Sequence, residues 1–178
     1  MFTGHIKEIG TVAAIEQGRI AVRVPGVAAT APAAICANGV GLAVAVAEHD
    51  NEVLEARLSA DTERRSTLGQ LQPGARVNVE IPLALGDPIG GHLVQGDVEA
   101  IGKVVRIDDE RTARRVWIKP PDRFIALLDA KCDIAVDGVS LTIAEVSRDR
   151  FAVAAVPWSR EPPWRTCRWG TGSTWSRT

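Results

Sequence analysis

Tyrosine is absent from this chain of 178 residues, and phenylalanine occurs only three times. Aromatic residues make up 4% of the sequence, and four of the five tryptophans fall within the last 21 residues. Basic residues are not in surplus either, since the formal net charge is −1. General binding to nucleic acid depends on a large excess of positive charge, so the composition argues against that class of function.

The sequence also lacks the patterns of a disulfide framework, a metal site and a membrane span. The three cysteines are Cys36, Cys132 and Cys167, and the three histidines are His5, His49 and His92. An odd number of widely spaced cysteines does not predict a disulfide framework, and no two histidines have metal-ligand spacing. No apolar run is long enough to span a membrane, and the N-terminus lacks the layout of a signal peptide. With 46% hydrophobic residues, the sequence predicts a soluble cytoplasmic protein with a packed core.

The chain contains an internal repeat. A pattern of Gly, an apolar residue, Ile-Gly and Val recurs 92 positions apart, in residues 3–12 and 95–104. A second pattern recurs 99 positions apart, in residues 38–44 and 137–143. Two motifs that recur in the same order predict two homologous domains, at residues 1–90 and 93–178.

Each half has the signals of a β protein. Residues 20–24, 76–81 and 151–156 are short, apolar or alternating segments that predict strands. Asn38-Gly39 and Asp137-Gly138 are dipeptides that accept positive φ at both centres of a hairpin turn. Short strands at close spacing predict a small barrel or a sandwich. One helix is expected at residues 122–130, with Asp122 as its cap.

Three polar segments each have a structural and a functional interpretation. Residues 89–96, which contain paired glycines and His92, favour an inter-domain turn over a loop that approaches a ligand. Ser140 and Thr142 share one strand face, where they are either ordinary surface alternation or two hydroxyls that bind a polar ring at a barrel mouth. Residues 62–68 are charged and favour a solvated connection over an anion contact.

Taken in order, the motifs resemble the riboflavin synthase family of the alpha-subunit type, also called the lumazine-binding family. The resemblance covers residues 1–157, and its most specific motifs are Gly-Gly-His-Leu-Val-Gln-Gly at residues 90–96 and Val-Asp-Gly-Val-Ser-Leu-Thr at residues 136–142. Further matching segments are residues 1–4, 38–42, 65–69, 74–80 and 148–151.

The resemblance implies a fold, an assembly and a reaction. The fold is all-β, with two tandem six-stranded Greek-key barrels, and family members form trimers through a C-terminal helix. The active site lies between the first barrel of one subunit and the second barrel of its neighbour. Two molecules of 6,7-dimethyl-8-ribityllumazine give riboflavin and a pyrimidinedione, without a metal or external cofactor. Riboflavin or lumazine is then the expected small-molecule partner, and nucleic acid and membranes are not.

Matching positions carry the family's site residues onto this chain. The implied catalytic residues are Phe2, Thr3 and His92. The implied ligand-binding residues are Thr62, Gly91, Gly138, Val139, Ser140, Thr142 and Val156. The first barrel departs from the family, because its usual Ser, Cys and Thr are replaced by Ala34, Gly41 and Ala43. Each lost polar partner costs about 1–3 kcal/mol of ligand binding, so a non-catalytic lumazine- or flavin-binding protein is the alternative to an enzyme.

The resemblance stops after Pro157, where the repeat predicts a last strand like that of residues 68–80. Codons chosen for residues 164–176 and read one base earlier spell that strand, including Asn at position 174 and Glu at position 176. The tail is therefore interpreted as a frame-shifted strand, and the second barrel is expected to be incomplete. The alternative is a genuine C-terminus whose tryptophans form an interaction surface. The trimerisation helix has no match in residues 158–178, so trimer and monomer both stay open.

Overall fold

The computed structural model describes residues 1–30, 32–48, 52–90, 92–155 and 173–177. The first six strands are β1 (Glu8–Glu16), β2 (Arg19–Arg23), β3 (Ala34–Ala37), β4 (Val40–Glu48), β5 (Val53–Arg57) and β6 (Arg76–Glu80). The next six are β7 (Ala100–Asp109), β8 (Arg114–Lys119), β9 (Asp133–Val136), β10 (Val139–Val146), β11 (Phe151–Ala155) and β12 (Ser173–Arg177). The short helices are α1 (Pro25–Ala28), α2 (Ala60–Arg65) and α3 (Asp122–Ile125), with a 3-10 turn at Leu68–Gln70.

The twelve strands form two closed barrels of identical topology. Around the first barrel the hydrogen-bonded order is β1-β2-β5-β4-β3-β6, and β6 pairs back onto β1. Around the second it is β7-β8-β11-β10-β9-β12, and β12 pairs back onto β7. Each strand of one barrel therefore has a counterpart in the other. The prediction of an all-β fold with two tandem six-stranded barrels is confirmed.

Alternating burial along the strands builds a separate core inside each barrel. In β2, Ile20 and Val22 are buried while the flanking arginines are exposed, as a strand with one face toward a core requires. Phe151, Ile118 and Ile134 form the corresponding centre of the second barrel. Side chains with the opposite phase point outward, and two of them, Cys36 and Ala135, lie in a buried cluster that the two barrels share.

The two predicted hairpin turns are present and lie against each other. Positive φ values occur at Asn38 (46°) and Gly39 (83°), and again at Asp137 (47°) and Gly138 (80°). A Cβ atom at Gly138 would lie 2.8 Å from the backbone nitrogen of Gly39. Only glycine permits this close approach, so the turn motif that repeats in the sequence also joins the repeats in space.

Paired hydrogen bonds join the barrels with the same symmetry. The N–H of Gly41 donates to the carbonyl of Gly96 over 2.8 Å, and the N–H of Ser140 donates to the carbonyl of Gly4 over 3.1 Å. Asn78 of β6 adds a buried link, because its side-chain amide donates to the Asp137 carbonyl over 2.9 Å. The opening segment of the chain is thereby fixed to the second barrel.

Two predicted segments differ from the structure. The helix predicted at residues 122–130 is only α3, which has Pro121 rather than Asp122 as its N-cap and no side-chain cap bond. Residues 62–68 are not a purely solvated connection, because Ser59 caps helix α2 by accepting the N–H of Thr62. Ser66, Thr67 and Leu68 are buried beyond the end of that helix. The capping signal at Ser59, just before the charged run, accounts for the helix.

The expectation of an incomplete second barrel is wrong for the backbone. Strand β12 occupies the sixth position, and Thr174 pairs with Ile101 as Asn78 pairs with Ile9 in the first barrel. Without β12 the edges of β7 and β9 would present unpaired N–H and C=O groups, which any segment without proline can satisfy. Strand pairing at this position therefore does not require the side chains that the repeat predicts. The other expectations for residues 156–172 lie outside the described residues.

Candidate functional site

The outer surface of the second barrel has a polar face formed by three side chains. Two of them, Ser140 and Thr142, were predicted from the sequence, and the third, Asp133, was not. Strands β9 and β10 pair so that Thr142 lies opposite Asp133 and Ser140 opposite Ala135. Directly opposed residues of antiparallel strands share a face, so Asp133, Ser140 and Thr142 point to the same side. Their neighbours Ile134 and Val136 fill the barrel core. The polar face is thus the outer wall of the barrel and not its mouth.

His92 reaches this face from the connection between the barrels. Its Nδ1 lies 2.7 Å from the hydroxyl of Ser140, and its Nε2 lies 3.0 Å from Oδ2 of Asp133. The side chains of His92 and Asp133 are 37% and 34% exposed, so solvent or a ligand has access to the group. The structure brings together two predicted residues, His92 and Ser140, and adds Asp133 to them.

Thr3 is held next to this group by a buried carboxylate. Glu80, which is 2% exposed, accepts hydrogen bonds from the Thr3 N–H (2.7 Å), the Thr3 hydroxyl (2.6 Å) and the Gly4 N–H (2.9 Å). Gly4 in turn accepts the backbone N–H of Ser140. A Cβ atom at Gly4 would overlap with Cβ of Ser140, so glycine is needed there.

Phe2 is buried between the barrels. It exchanges backbone hydrogen bonds with Val94 (2.7 and 2.8 Å) and packs in a small cluster with Val94, Cys36 and Ala135. Within this cluster, burial raises the pKa of the Cys36 thiol to about 12, with a further contribution from the charge of Glu80. Phe2 therefore packs on the same outer side of β9 as the polar face, through Ala135, and its role at a ligand site stays a prediction.

The remaining predicted residues do not join the His92 group. Thr62 is in helix α2, where its hydroxyl lies 2.8 Å from that of Ser59. Gly138 sits at the turn contact described above, and Val139 pairs with Val136. Gly91 and Val156 lie outside the described residues.

The first barrel has no polar side chains at the equivalent positions. In β3 and β4, Ala34 lies opposite Ala43, in the register that Asp133 and Thr142 have in the second barrel. The counterpart of Ser140 is Gly41, which also bonds across to the other barrel. At these three positions the two outer faces therefore differ in chemistry, since the second barrel has a carboxylate and two hydroxyls where the first has two methyl groups and a glycine.

Apart from the polar face, a cavity lies between the barrels, next to α2. This cavity, of about 530 Å³, is lined by Asp61, Arg64, Arg65, Glu99, Ala100, Ile101, Pro121 and Arg123. The Arg65 guanidinium beside Asp61 lowers the pKa of that carboxyl. Within the described ranges, no group of three or more His, Cys, Asp or Glu side chains is placed to hold a metal ion. In the same part of the chain, no helix is long and apolar enough to cross a membrane.

Two residues of the site were missed by sequence reasoning. Asp133 follows a stretch without a motif. Its one signal in the sequence is that it lies 99 positions after Ala34, which is the offset of the second repeated pattern. Asp133 is therefore the counterpart of Ala34, and it lies opposite Thr142. In the sequence, Glu80 is only part of the strand pattern of residues 76–81. Val77 and Val79 fill the core of the first barrel, so Glu80 points to the outer face, and the sequence alone gives no signal that it is buried there with a partner.

Comparison with known proteins agrees with this architecture. The sequence profile of the "Lumazine binding domain" matches residues 3–82 and 95–162, one segment for each barrel. The riboflavin synthase of Mycobacterium tuberculosis (strain ATCC 25618 / H37Rv) is 39% identical over 170 residues, which cover 90% of this chain and 84% of that protein. The riboflavin synthase of Actinobacillus pleuropneumoniae is 29% identical over 163 residues, covering 88% and 75%.

Solved structures show the same fold. The crystal structure of LumP complexed with riboflavin superposes with a TM-score of 0.87 at 22% identity and covers 100% of both chains. LumP complexed with 6,7-dimethyl-8-(1'-D-ribityl) lumazine gives 0.85 at 21% identity, covering 100% of this chain and 99% of that one. The profile match to both barrels, together with the 39% identical relative, shows that this chain belongs to the lumazine-binding domain family.

Proposed function

We propose that the chain is a riboflavin synthase-type transferase. It passes a four-carbon unit between two molecules of 6,7-dimethyl-8-ribityllumazine and releases riboflavin and 5-amino-6-ribitylamino-pyrimidinedione. The observation that carries the proposal is the 2.7 Å contact between His92 Nδ1 and the Ser140 hydroxyl, on a face that a ligand can reach. The fused lumazine ring delocalises negative charge, so its 7-methyl protons are acidic, and a hydrogen-bonded Ser–His pair is suited to accept one. Similarity to riboflavin synthases supports the same reaction.

A binding protein without turnover is the second candidate. Its supporting observation is the first barrel, where Ala34, Gly41 and Ala43 supply no side-chain donor or acceptor at the counterparts of Asp133, Ser140 and Thr142. A single polar site per chain suits a carrier of one lumazine or flavin. LumP, whose fold is similar, is known in complexes with riboflavin, lumazine and flavin mononucleotide.

One experiment separates these candidates. Purified protein is incubated with 6,7-dimethyl-8-ribityllumazine, without added metal or cofactor, while riboflavin formation and ligand fluorescence are followed together. Riboflavin formation supports the enzyme, and tight binding without product supports the carrier. If neither occurs, both proposals are wrong and the chain is a paralogue that binds nothing. Light scattering on the same sample distinguishes the family's trimer from a monomer.

A double variant of the polar face tests where the ligand binds in that assay. Ser140→Ala combined with Thr142→Ala removes both hydroxyls of the polar face and should weaken lumazine binding about 10-fold or more. Ser147→Ala is the matched control, because Ser147 is exposed beyond the end of β10. Unchanged affinity in the double variant, measured by calorimetry, would show that the ligand does not use this face.

A further inference from the structure

Asp133, His92 and Ser140 form a continuous hydrogen-bonded chain. Asp133 and Ser140 lie on adjacent strands of one barrel wall, and His92 from the inter-barrel connection bridges them. The two contacts use different ring nitrogens, so the imidazole has a defined partner on each side. The resemblance to the family implies no role for Asp133.

The chemistry of the three groups sets the direction of the hydrogen bonds. An ionised carboxylate only accepts, so Nε2 of His92 must carry the hydrogen that faces Asp133. A neutral imidazole has one N–H, and therefore Nδ1 is the acceptor for the hydroxyl hydrogen of Ser140. Because that hydrogen is engaged, the lone pairs of the Ser140 oxygen are left for a donor on a ligand.

We propose that Asp133 is a positioning residue that holds His92 with Nδ1 toward Ser140, so that Ser140 and His92 act together as a proton acceptor. In the step, a ligand proton moves to the Ser140 oxygen while the hydroxyl proton of Ser140 moves to Nδ1. The ligand keeps the electron pair of the broken bond, and the new imidazolium lies against the Asp133 carboxylate. This role for Asp133 in turnover rests on the proposed function; the orientation of His92 does not.

The internal repeat provides an independent argument. Alanine occupies the equivalent of Asp133 in the first barrel, at Ala34, so the barrel wall does not need a carboxylate in order to fold. The first barrel also has Gly41 in place of Ser140. A carboxylate and a hydroxyl thus occur together in one repeat and are absent together from the other, which links Asp133 to the chemistry of the polar face.

The test compares three variants by nitrogen-15 NMR of labelled histidine. Only three histidines are present, so His5→Gln and His49→Gln backgrounds assign the His92 signals. Neutral His92 should be in the Nε2–H form in the unaltered protein. Asp133→Ala should give a mixture of both tautomers, whereas Asp133→Asn, which keeps an oxygen acceptor, should retain the Nε2–H form. Asp129→Ala, an exposed carboxylate on the same barrel, is the control and should change nothing.

Turnover measurements test the use of this orientation. General acid–base groups contribute about 100-fold or more to rate, so Asp133→Ala should lower kcat roughly 10-fold to 100-fold while KM changes by less than about 2-fold. An unchanged tautomer in Asp133→Ala would overturn the proposal whatever the activity. A changed tautomer with unchanged kcat would overturn the role in turnover. If the unaltered protein makes no riboflavin, the proposed function fails, and the tautomer measurement alone decides whether Asp133 positions His92.

Discussion

Glu80 is the buried carboxylate on which the opening segment of the chain depends, and Glu80→Gln tests that dependence. The carboxylate accepts two hydrogen bonds at Oε1 and one at Oε2, all from Thr3 and Gly4. Glutamine has only one oxygen, so its amide NH2 must face at least one of the backbone N–H groups. The substitution therefore removes a charge-assisted hydrogen bond and places two donors against each other in a site that is 2% exposed.

The expected loss can be stated from these contacts. A hydrogen bond to a charged group contributes about 1.5–3 kcal/mol, and the remaining bonds become neutral and weaker, so Glu80→Gln should cost about 2–4 kcal/mol. For a chain of this size, that corresponds to a fall in Tm of roughly 5–15 °C. Since Gly4 accepts the N–H of Ser140, lumazine affinity should fall as well.

Thermal unfolding followed by circular dichroism measures the effect. Glu16→Gln is the matched control, because Glu16 lies on an exposed position of β1, and its Tm should change by no more than about 1–2 °C. If Glu80→Gln has the same Tm as this control, then the three hydrogen bonds do not contribute to stability and the argument for Glu80 is wrong.

Three further predictions concern other parts of the chain. Restoring the family's polar groups should raise any turnover, or raise the number of lumazine molecules bound per chain in calorimetry; no gain in either would mean that the departures are tolerated. The substitutions are Ala34→Ser, Gly41→Cys and Ala43→Thr, and a Cβ atom at Gly41 meets only ordinary contacts of 3.5 Å or more. In a Cys167→Ser background at pH 8, a thiol reagent should modify exposed Cys132 rapidly and Cys36 only after unfolding, because burial raises the pKa of Cys36 to about 12. Thr174→Asn with Ser176→Glu introduces the residue types of Asn78 and Glu80, because β12 has the register of β6, and should raise Tm by roughly 5–10 °C. An unchanged Tm would count against the frame-shift interpretation. Sequencing of the gene tests that interpretation directly.

Local features of the fold were predictable because they depend on neighbouring residues. The turns at Asn38-Gly39 and Asp137-Gly138 follow from the tolerance of these dipeptides for positive φ, and the strands follow from alternation. Helix lengths were less predictable, since the chain leaves the helix after α3 and the N–H of Lys131 donates to the carbonyl of Ile143, a contact that periodicity does not show. The prediction that the second barrel is incomplete was wrong for a related reason. Closure of the barrel depends on backbone hydrogen bonds and only weakly on side chains.

The sequence alone therefore determined the repeat, the two-barrel architecture and the family, since each is encoded in short segments that recur or match in order. The tertiary structure decided which polar residues act together. Glu80 meets Thr3 across 77 positions, and His92 meets Ser140 across 48, because barrel closure and the inter-barrel turn contact bring distant segments to one face. Asp133 has no motif of its own. Its place beside His92 exists only because the register of β9 and β10 puts it there.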